Sequence, residues 1–132
     1  MTIIPAMSDY TKTNLMEIEA PAQFKGLEAR FARDRLGSEH LGVSHFRFAP
    51  NLRVPFGHSH REQEEAYVIV EGSGRMRLGD EIIDLAPWDV VRVAPHVVRA
   101  FEAGPDGLAY IAVGNDRPEG GDGEMVKDFW TD

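Results

Sequence analysis

From residue 43 onward the sequence predicts an all-β domain, a sandwich or a barrel. Three observations predict it. Short apolar runs recur at roughly 8–12-residue spacing, turn-forming residues stand between them, and polar and apolar side chains alternate within them. The 132 residues make a single domain with enough apolar content, 42%, for one core.

Residues 1–20 are mixed in character and are closed off by Pro21. The stretch AQFKGLEARFARDRLG, residues 22–37, fits two patterns. Phe24, Leu27 and Phe31 follow a helical spacing, whereas Leu27, Ala29 and Phe31 alternate as in a strand, and Gly26 and Gly37 interrupt either one. Strands are then predicted at Val43–Ala49, Glu65–Val70, Arg75–Leu78, Glu81–Leu85, Val90–Val93, Val97–Glu102 and Leu108–Val113. Pro50-Asn51, Pro55, Gly72-Ser73-Gly74, Gly79-Asp80, Pro87, Pro95 and Gly104-Pro105-Asp106-Gly107 separate them. Gly79-Asp80 reads as a tight hairpin, since Arg75 and Arg77 alternate with Met76 and Leu78 on one side of it. Gly72-Ser73-Gly74 reads as a turn; it is too short for a phosphate cradle and no lysine follows it. In the tail, GNDRPEGGDGEMVKDFWTD, Met125, Val126, Phe129 and Trp130 are too apolar for a free end and are expected to dock on the barrel or on a second subunit. The expected organisation is an N-terminal extension with the first strand over residues 1–40, a barrel over 41–114, and a C-terminal loop and apolar latch over 115–132.

A formal net charge of −8 argues against nucleic acid and against an anionic membrane surface as partners. The absence of cysteine excludes disulfides and thiol chemistry. The start MTIIPAMSDYTK lacks the basic and long apolar regions of a secretory signal, and no apolar run approaches the roughly 18 residues of a membrane span. The expectation is a soluble, intracellular protein, most simply cytoplasmic.

The stretch GHSHREQEEAYVIVEG, residues 57–72, carries the chemistry. Residues two apart on a strand point to the same side, so the imidazoles of His58 and His60 can converge on one ion. A turn at Arg61–Gln63 brings Glu65 to join them. Two imidazoles and a carboxylate suit Fe(II), Mn(II), Ni(II) or Zn(II), and three protein ligands leave positions open for water or substrate. The residues alone leave another reading open, in which two loop histidines are simply solvated beside Arg61 and Glu62.

This stretch resembles the first motif of the cupin superfamily, G-x5-H-x-H-x3–4-E-x6-G, with His58, His60 and Glu65 at the ligand places and Gly72 seven residues after Glu65. Glu64 satisfies the shorter spacing and is an alternative carboxylate; Leu52 stands where the leading glycine would be. The resemblance continues through YVIVEGSGRMRLGDEIIDLAPWDVVRVAPHVVRAFEAG and covers about Val43 to Val113. It implies a double-stranded β-helix, a jelly-roll barrel, with the histidine strand facing the interior. It also implies a divalent metal and, in an enzyme, oxygenase, isomerase or decarboxylase chemistry.

The second motif, G-x5-P-x-G-x2-H-x3-N, is where the sequence departs. Trp88 replaces its opening glycine, Ala94 and His96 its proline and second glycine, Ala103 its asparagine, and Arg99 the histidine that would be the fourth ligand. A guanidinium does not deprotonate and cannot ligate. Three consequences follow as alternatives. Arg99 pairs with Glu65 in a metal-free barrel, or it stands beside the metal and binds the carboxylate or enolate of an anionic substrate, or His96 reaches in as a substitute ligand. Alternation places Val97, Arg99 and Phe101 on one, inward face. Arg99 and Tyr67 are therefore the expected substrate-binding residues, with Glu64 and His96 as secondary candidates.

Other candidates are set aside. His40 reads as a solvated turn residue, and His45, opposite Phe46 and Phe48, as part of a wet outer face. Ser44 lies on a strand and Ser59 points away from the two histidines that flank it, and Phe46, Phe48 and Met76 read as core or pocket lining. The expectation is a small-molecule metallo-cupin acting on or binding a small anionic metabolite. The alternative is a metal-free binding, sensor or structural barrel. Single-domain cupins usually pair, and a homodimer is expected, since pairing covers the edges of an open jelly roll.

Overall fold

The computed structural model of the chain describes residues 9–21, 24–116 and 118–132. The beginning of the N-terminal extension, two residues of the ambiguous stretch (Ala22 and Gln23) and Arg117 of the tail lie outside the described residues. Among the described residues eight strands form one curled antiparallel sheet: β1 (Leu27–Phe31), β2 (Gly42–Phe48), β3 (Gly57–His60), β4 (Glu65–Leu78), β5 (Glu81–Leu85), β6 (Val90–Val93), β7 (Arg99–Gly114) and β8 (Gly123–Val126). The all-β jelly-roll expectation holds. No helix among the described residues is long and apolar enough to cross a membrane.

Of the two patterns in residues 22–37 the strand alternation is the one used, and the helical spacing of Phe24, Leu27 and Phe31 is not: no described residue from Phe24 to Phe31 is helical. Leu27–Phe31 is β1, paired with β2 from Leu27↔Phe48 to Phe31↔Ser44. It is followed by a single helical turn, α1 (Arg33–Leu36), which stops at Gly37 in the left-handed region at φ 61°.

β4 and β7, 14 and 16 residues long, are the two strands around which the rest is built. Each was expected as two short strands joined by a turn, at Gly72-Ser73-Gly74 and at Gly104-Pro105-Asp106-Gly107. Instead they run on and pair with each other along their whole length, from Glu65↔Gly114 to Leu78↔Arg99, with register shifts near Gly72. The glycines allow the two bent strands to touch. A Cβ at Gly72 would stand 2.1 Å from the carbonyl oxygen of Gly107, and one at Gly74 would stand 2.2 Å from that of Glu102. Gly72 also has φ 77°. These residues make a β-bulge, which bends a strand without ending it.

The two halves of the barrel interior are filled differently. One half is closed by aromatic rings. Phe101 stacks on Tyr110 at 4.2 Å between centroids, Phe46 stacks on Tyr110 at 5.1 Å, and Tyr67 meets Phe101 edge-on at 5.0 Å. Ile69, Met76 and Val93 complete this core. The other half stays open above β3 and the start of β4.

The tail docks on the barrel. β8 pairs with β3, from Gly57↔Val126 to His60↔Gly123. Beyond it Trp130 donates its indole N–H to the Val54 carbonyl at 3.0 Å under the Arg53 guanidinium, and Arg77 donates to the Phe129 carbonyl. Phe129 fits because residue 57 is glycine: a Cβ there would stand 2.8 Å from its ring. Met125 and Val126, in contrast, stay exposed.

Replacing Gly72 by alanine should cost about 2 kcal/mol or more, because it adds a backbone clash to a left-handed backbone. At Gly79, also left-handed but with nothing within 4 Å of the added methyl, the same change should cost about 1 kcal/mol. Urea denaturation of the two variants checks the difference.

Candidate metal centre

His58 and His60 lie on β3 at i and i+2, so both rings face the barrel interior while Ser59 points the other way and is buried. The chain then turns and re-enters the sheet at Glu65, the first residue of β4. The imidazoles stand nearly perpendicular, 5.2 Å between centroids. One ligand atom from each of His58, His60 and Glu65 lies within 4.8 Å of the others. Nε2 of His60 is 3.1 Å and Nε2 of His58 is 3.6 Å from Oε1 of Glu65. Glu64 is not part of this cluster; it lies exposed on the outer face, paired with Arg92. His96 is exposed in the turn before β7.

Behind Glu65 lies a buried layer. Arg99 has no exposed surface. Its Nη2 donates to Glu65 Oε1 at 2.9 Å, its Nε to the Tyr67 hydroxyl at 3.1 Å, and its Nη1 to the carbonyls of Val97 and Pro95 at 2.7 and 3.2 Å. Tyr67 donates to the same Glu65 oxygen at 2.6 Å. Burial pushes the Glu65 carboxyl up, but contacts with His58, His60 and Tyr67 and the charge of Arg99 outweigh it and hold the group well below the usual carboxylate range. Burial and the neighbouring Glu65 charge raise the Tyr67 hydroxyl far above its ordinary value, so it stays a donor.

On the other side of His60 stands a residue that sequence reasoning missed. Asp122, 2% exposed, precedes β8. Its Oδ1 accepts from Nδ1 of His60 at 2.9 Å, and its Oδ2 accepts from the backbone N–H groups of Glu62 and Gln63, both at 2.8 Å. Burial raises the Asp122 carboxyl, and these three donors more than reverse the effect and bring it to about 2. Its only signal in the sequence is an acidic residue flanked by glycines, Gly121-Asp122-Gly123, which has no spacing relation to the histidines.

A carboxylate only accepts, so the Asp122 contact places the proton of neutral His60 on Nδ1 and leaves a lone pair on Nε2. That Nε2 is buried and has no hydrogen-bond partner among the described residues. The approach to Glu65 is close but misaligned for a hydrogen bond, so two acceptors face each other at 3.1 Å. Such a pair calls for a cation. First-row divalent ions hold nitrogen and oxygen donors at about 2.0–2.2 Å, which sets neighbouring donors about 3.0–3.5 Å apart. The 3.1 Å spacing falls in this range and the 3.6 Å spacing lies just above it.

The cluster opens into a cavity of about 500 Å³ walled by Phe31, Val43 and Phe46, with Arg33 and Asp34 of α1 at its rim. Arg99 and Tyr67 do not line it. A second cavity, about 560 Å³, lies around Gly26 and Gly107 and has no histidine in its described lining. His40 is an exposed partner of Asp116, at 2.9 Å. His45, expected on a wet face, is 5% exposed. Its strand neighbour Arg30 reaches over to the Ile18 carbonyl, so the N-terminal segment covers that face, and burial, then the charges of Arg47 and Arg30, lower the His45 pKa and favour a neutral ring.

The sequence matches no protein-family model and no curated protein. Solved structures share the fold. A cupin protein from Bacteroides fragilis is 26% identical over 83% of this chain and 86% of its own, with a TM-score of 0.70. The polyketide cyclase RemF from Streptomyces resistomycificus is 19% identical, with 92% and 87% covered and a TM-score of 0.73. An oxalate decarboxylase of B. subtilis is 20% identical over 87% of this chain, with a TM-score of 0.72, but this chain spans only 31% of it. The chain has the fold of the cupins. Its described residues form one such barrel.

In the metal-free protein the lowered carboxylates and the histidine pull stability in opposite directions. Glu65 and Asp122 titrate below their unfolded values, so their contribution is full above about pH 4.5 and is lost as pH falls toward about 2, with Asp122 alone worth roughly 2 kcal/mol. For His60, contact with Glu65 raises the pKa, burial lowers it by less, and Asp122 raises it again. Its contribution is full below about pH 6.5 and fades as pH rises beyond. Thermal melts of chelator-treated protein should therefore be highest between about pH 4.5 and 6.5 and fall on both sides.

Proposed function

We propose that this protein is a small-molecule cupin in which His58, His60 and Glu65 hold one divalent transition ion (Fe, Mn, Ni or Zn) at the floor of the open cavity, where it binds or acts on a small anionic metabolite. The observation that carries the reading is the buried Nε2 of His60, unpartnered among the described residues, facing the Glu65 carboxylate with His58 beside it. When bound, the ion supplies Lewis acidity or oxygen activation. The protein supplies the rest. Tyr67 and Arg99 hold Glu65 ionised and oriented, and Phe31, Phe46 and Val43 wall the space above.

Charge supports the anionic ligand. Glu65 and Asp122 are negative and Arg99 is positive, a buried sum of −1. A divalent ion turns that sum to +1, which favours an anion next to it. Arg99 and Tyr67 thus act on the ligand through Glu65, by setting the charge and position of the ligating oxygen. Oxalate, named in one of the similar structures, is an anion of the size the cavity admits.

The Arg99–Glu65 pair favours a second reading. Glu65 Oε1 already accepts from Tyr67 and Arg99, so a proton on His60 completes the charge balance without a metal, and the barrel binds its ligand without chemistry.

Elemental analysis of untagged protein separates the two readings. Near-stoichiometric iron, manganese, nickel or zinc that disappears in His58→Ala/His60→Ala is the expected result. A wild type as free of metal as the variant would overturn the metal reading.

We also propose a homodimer and a cytoplasmic location. The pairing is supported by β8, a strand with one partner, β3, among the described residues and with Met125 69% exposed. A chain without cysteines needs no oxidising compartment to fold. Light scattering at micromolar concentration should give twice the chain mass; a monomer mass would refute the pairing.

A further inference from the structure

We infer that the C-terminal segment is part of the metal centre, because Asp122 serves as the positioning residue that orients His60 and sets which of its nitrogens is free to ligate. The inference rests on the proposed metal reading and deepens it. Asp122 is carried in by the pairing of β8 with β3, which sets Gly123 opposite His60. It is almost fully buried, and each oxygen is committed, Oδ1 to His60 and Oδ2 to two backbone N–H groups of the turn between His60 and Glu65. One carboxylate therefore fixes both the ring and the turn that positions the next ligand. It also supplies the negative charge that offsets Arg99, which would otherwise leave the site no more negative than neutral. A carboxylate behind a ligating imidazole fixes its tautomer and raises its basicity, and its loss commonly weakens metal binding 10- to 100-fold, by about that range.

An isosteric change separates orientation from mere packing. In Asp122→Asn the amide oxygen still accepts from the Glu62 and Gln63 N–H groups, but the amide NH₂ faces Nδ1 of His60. The ring must then accept there and carry its proton on Nε2, so the ligating lone pair is lost. Two measurements test this. In the first, Zn(II) affinity is measured by competition with a chromophoric chelator for wild type, His58→Ala/His60→Ala, Asp122→Asn and Trp130→Ala. Trp130→Ala loosens the same segment at its far end without touching His60. In the second, ¹⁵N NMR reads the imidazole tautomer of His60 in metal-free protein at about pH 9, above the ordinary histidine range.

The expected result is a 10- to 100-fold weaker Zn(II) affinity in Asp122→Asn, by about that range, a smaller loss in Trp130→Ala, and a switch of the His60 proton from Nδ1 to Nε2. Site-specific binding in wild type with an affinity in Asp122→Asn within twofold of it would overturn the role of Asp122 and leave the metal reading standing. Equal losses in Asp122→Asn and Trp130→Ala would reduce that role to general stability and overturn the inference as well. No binding in wild type would overturn the metal reading. The tautomer then decides the positioning role alone: a switch in Asp122→Asn upholds it, and an unchanged tautomer refutes it.

Discussion

An arginine with no exposed surface is the constraint that the centre of this molecule is built to satisfy. Removing a guanidinium from water costs several kcal/mol even after relaxation, and the structure must return that through fixed partners. Arg99 receives a carboxylate, a phenol and two carbonyls, drawn from the start of β4 and from the turn before β7. The Pro95 carbonyl that accepts from Arg99 also accepts the backbone N–H of His60 at 2.8 Å. So β3, β4 and the turn into β7 are clasped around one cation, and the placement of the two histidines relative to Glu65 is a by-product of burying it.

The bent pair β4 and β7 makes this possible. Their glycine bulges let one continuous ladder serve both walls of the barrel, so Tyr67 lies close enough to the aromatic cluster to pack and close enough to Glu65 to donate. Ring packing fills one half of the interior and leaves the chemistry to the other. A fold of this kind serves many activities, and it is the mouth and floor of the open half that distinguish them. Here the floor is polar and negatively charged, and the walls are aromatic and aliphatic.

Much of this was legible in the sequence, and the limits have physical reasons. Alternation and turn spacing read the strands well wherever one face is buried, as in β2, β5 and β6. The two-residue spacing of His58 and His60 is a property of strands and survives folding unchanged. Glycines at 72, 74, 104 and 107 were misread as strand ends, because a residue free to adopt positive φ serves a turn and a bulge equally, and only the strand opposite decides which. His45 was placed on a wet face because alternation reports the two sides of a strand but not what a distant segment lays over one of them. Asp122 was invisible for the same reason. Its partner is 62 residues away, and no local pattern encodes such a contact.

That separation has a kinetic meaning. His58, His60 and Glu65 fall within one short stretch and meet as soon as a single turn closes. Arg99 reaches Glu65 across 34 residues, and Asp122 reaches His60 across 62. Short loops close at lower entropic cost than long ones, so distant contacts form late. The three residues therefore gather early as a loose cluster and acquire their final orientation only when the last strand zips onto β3. In the proposed metal centre, an ion met before that moment finds three flexible donors, and one met afterwards finds a rigid cup. The order in which chain closure and metal arrive thus becomes a variable of its own, set by the topology rather than by the ligands.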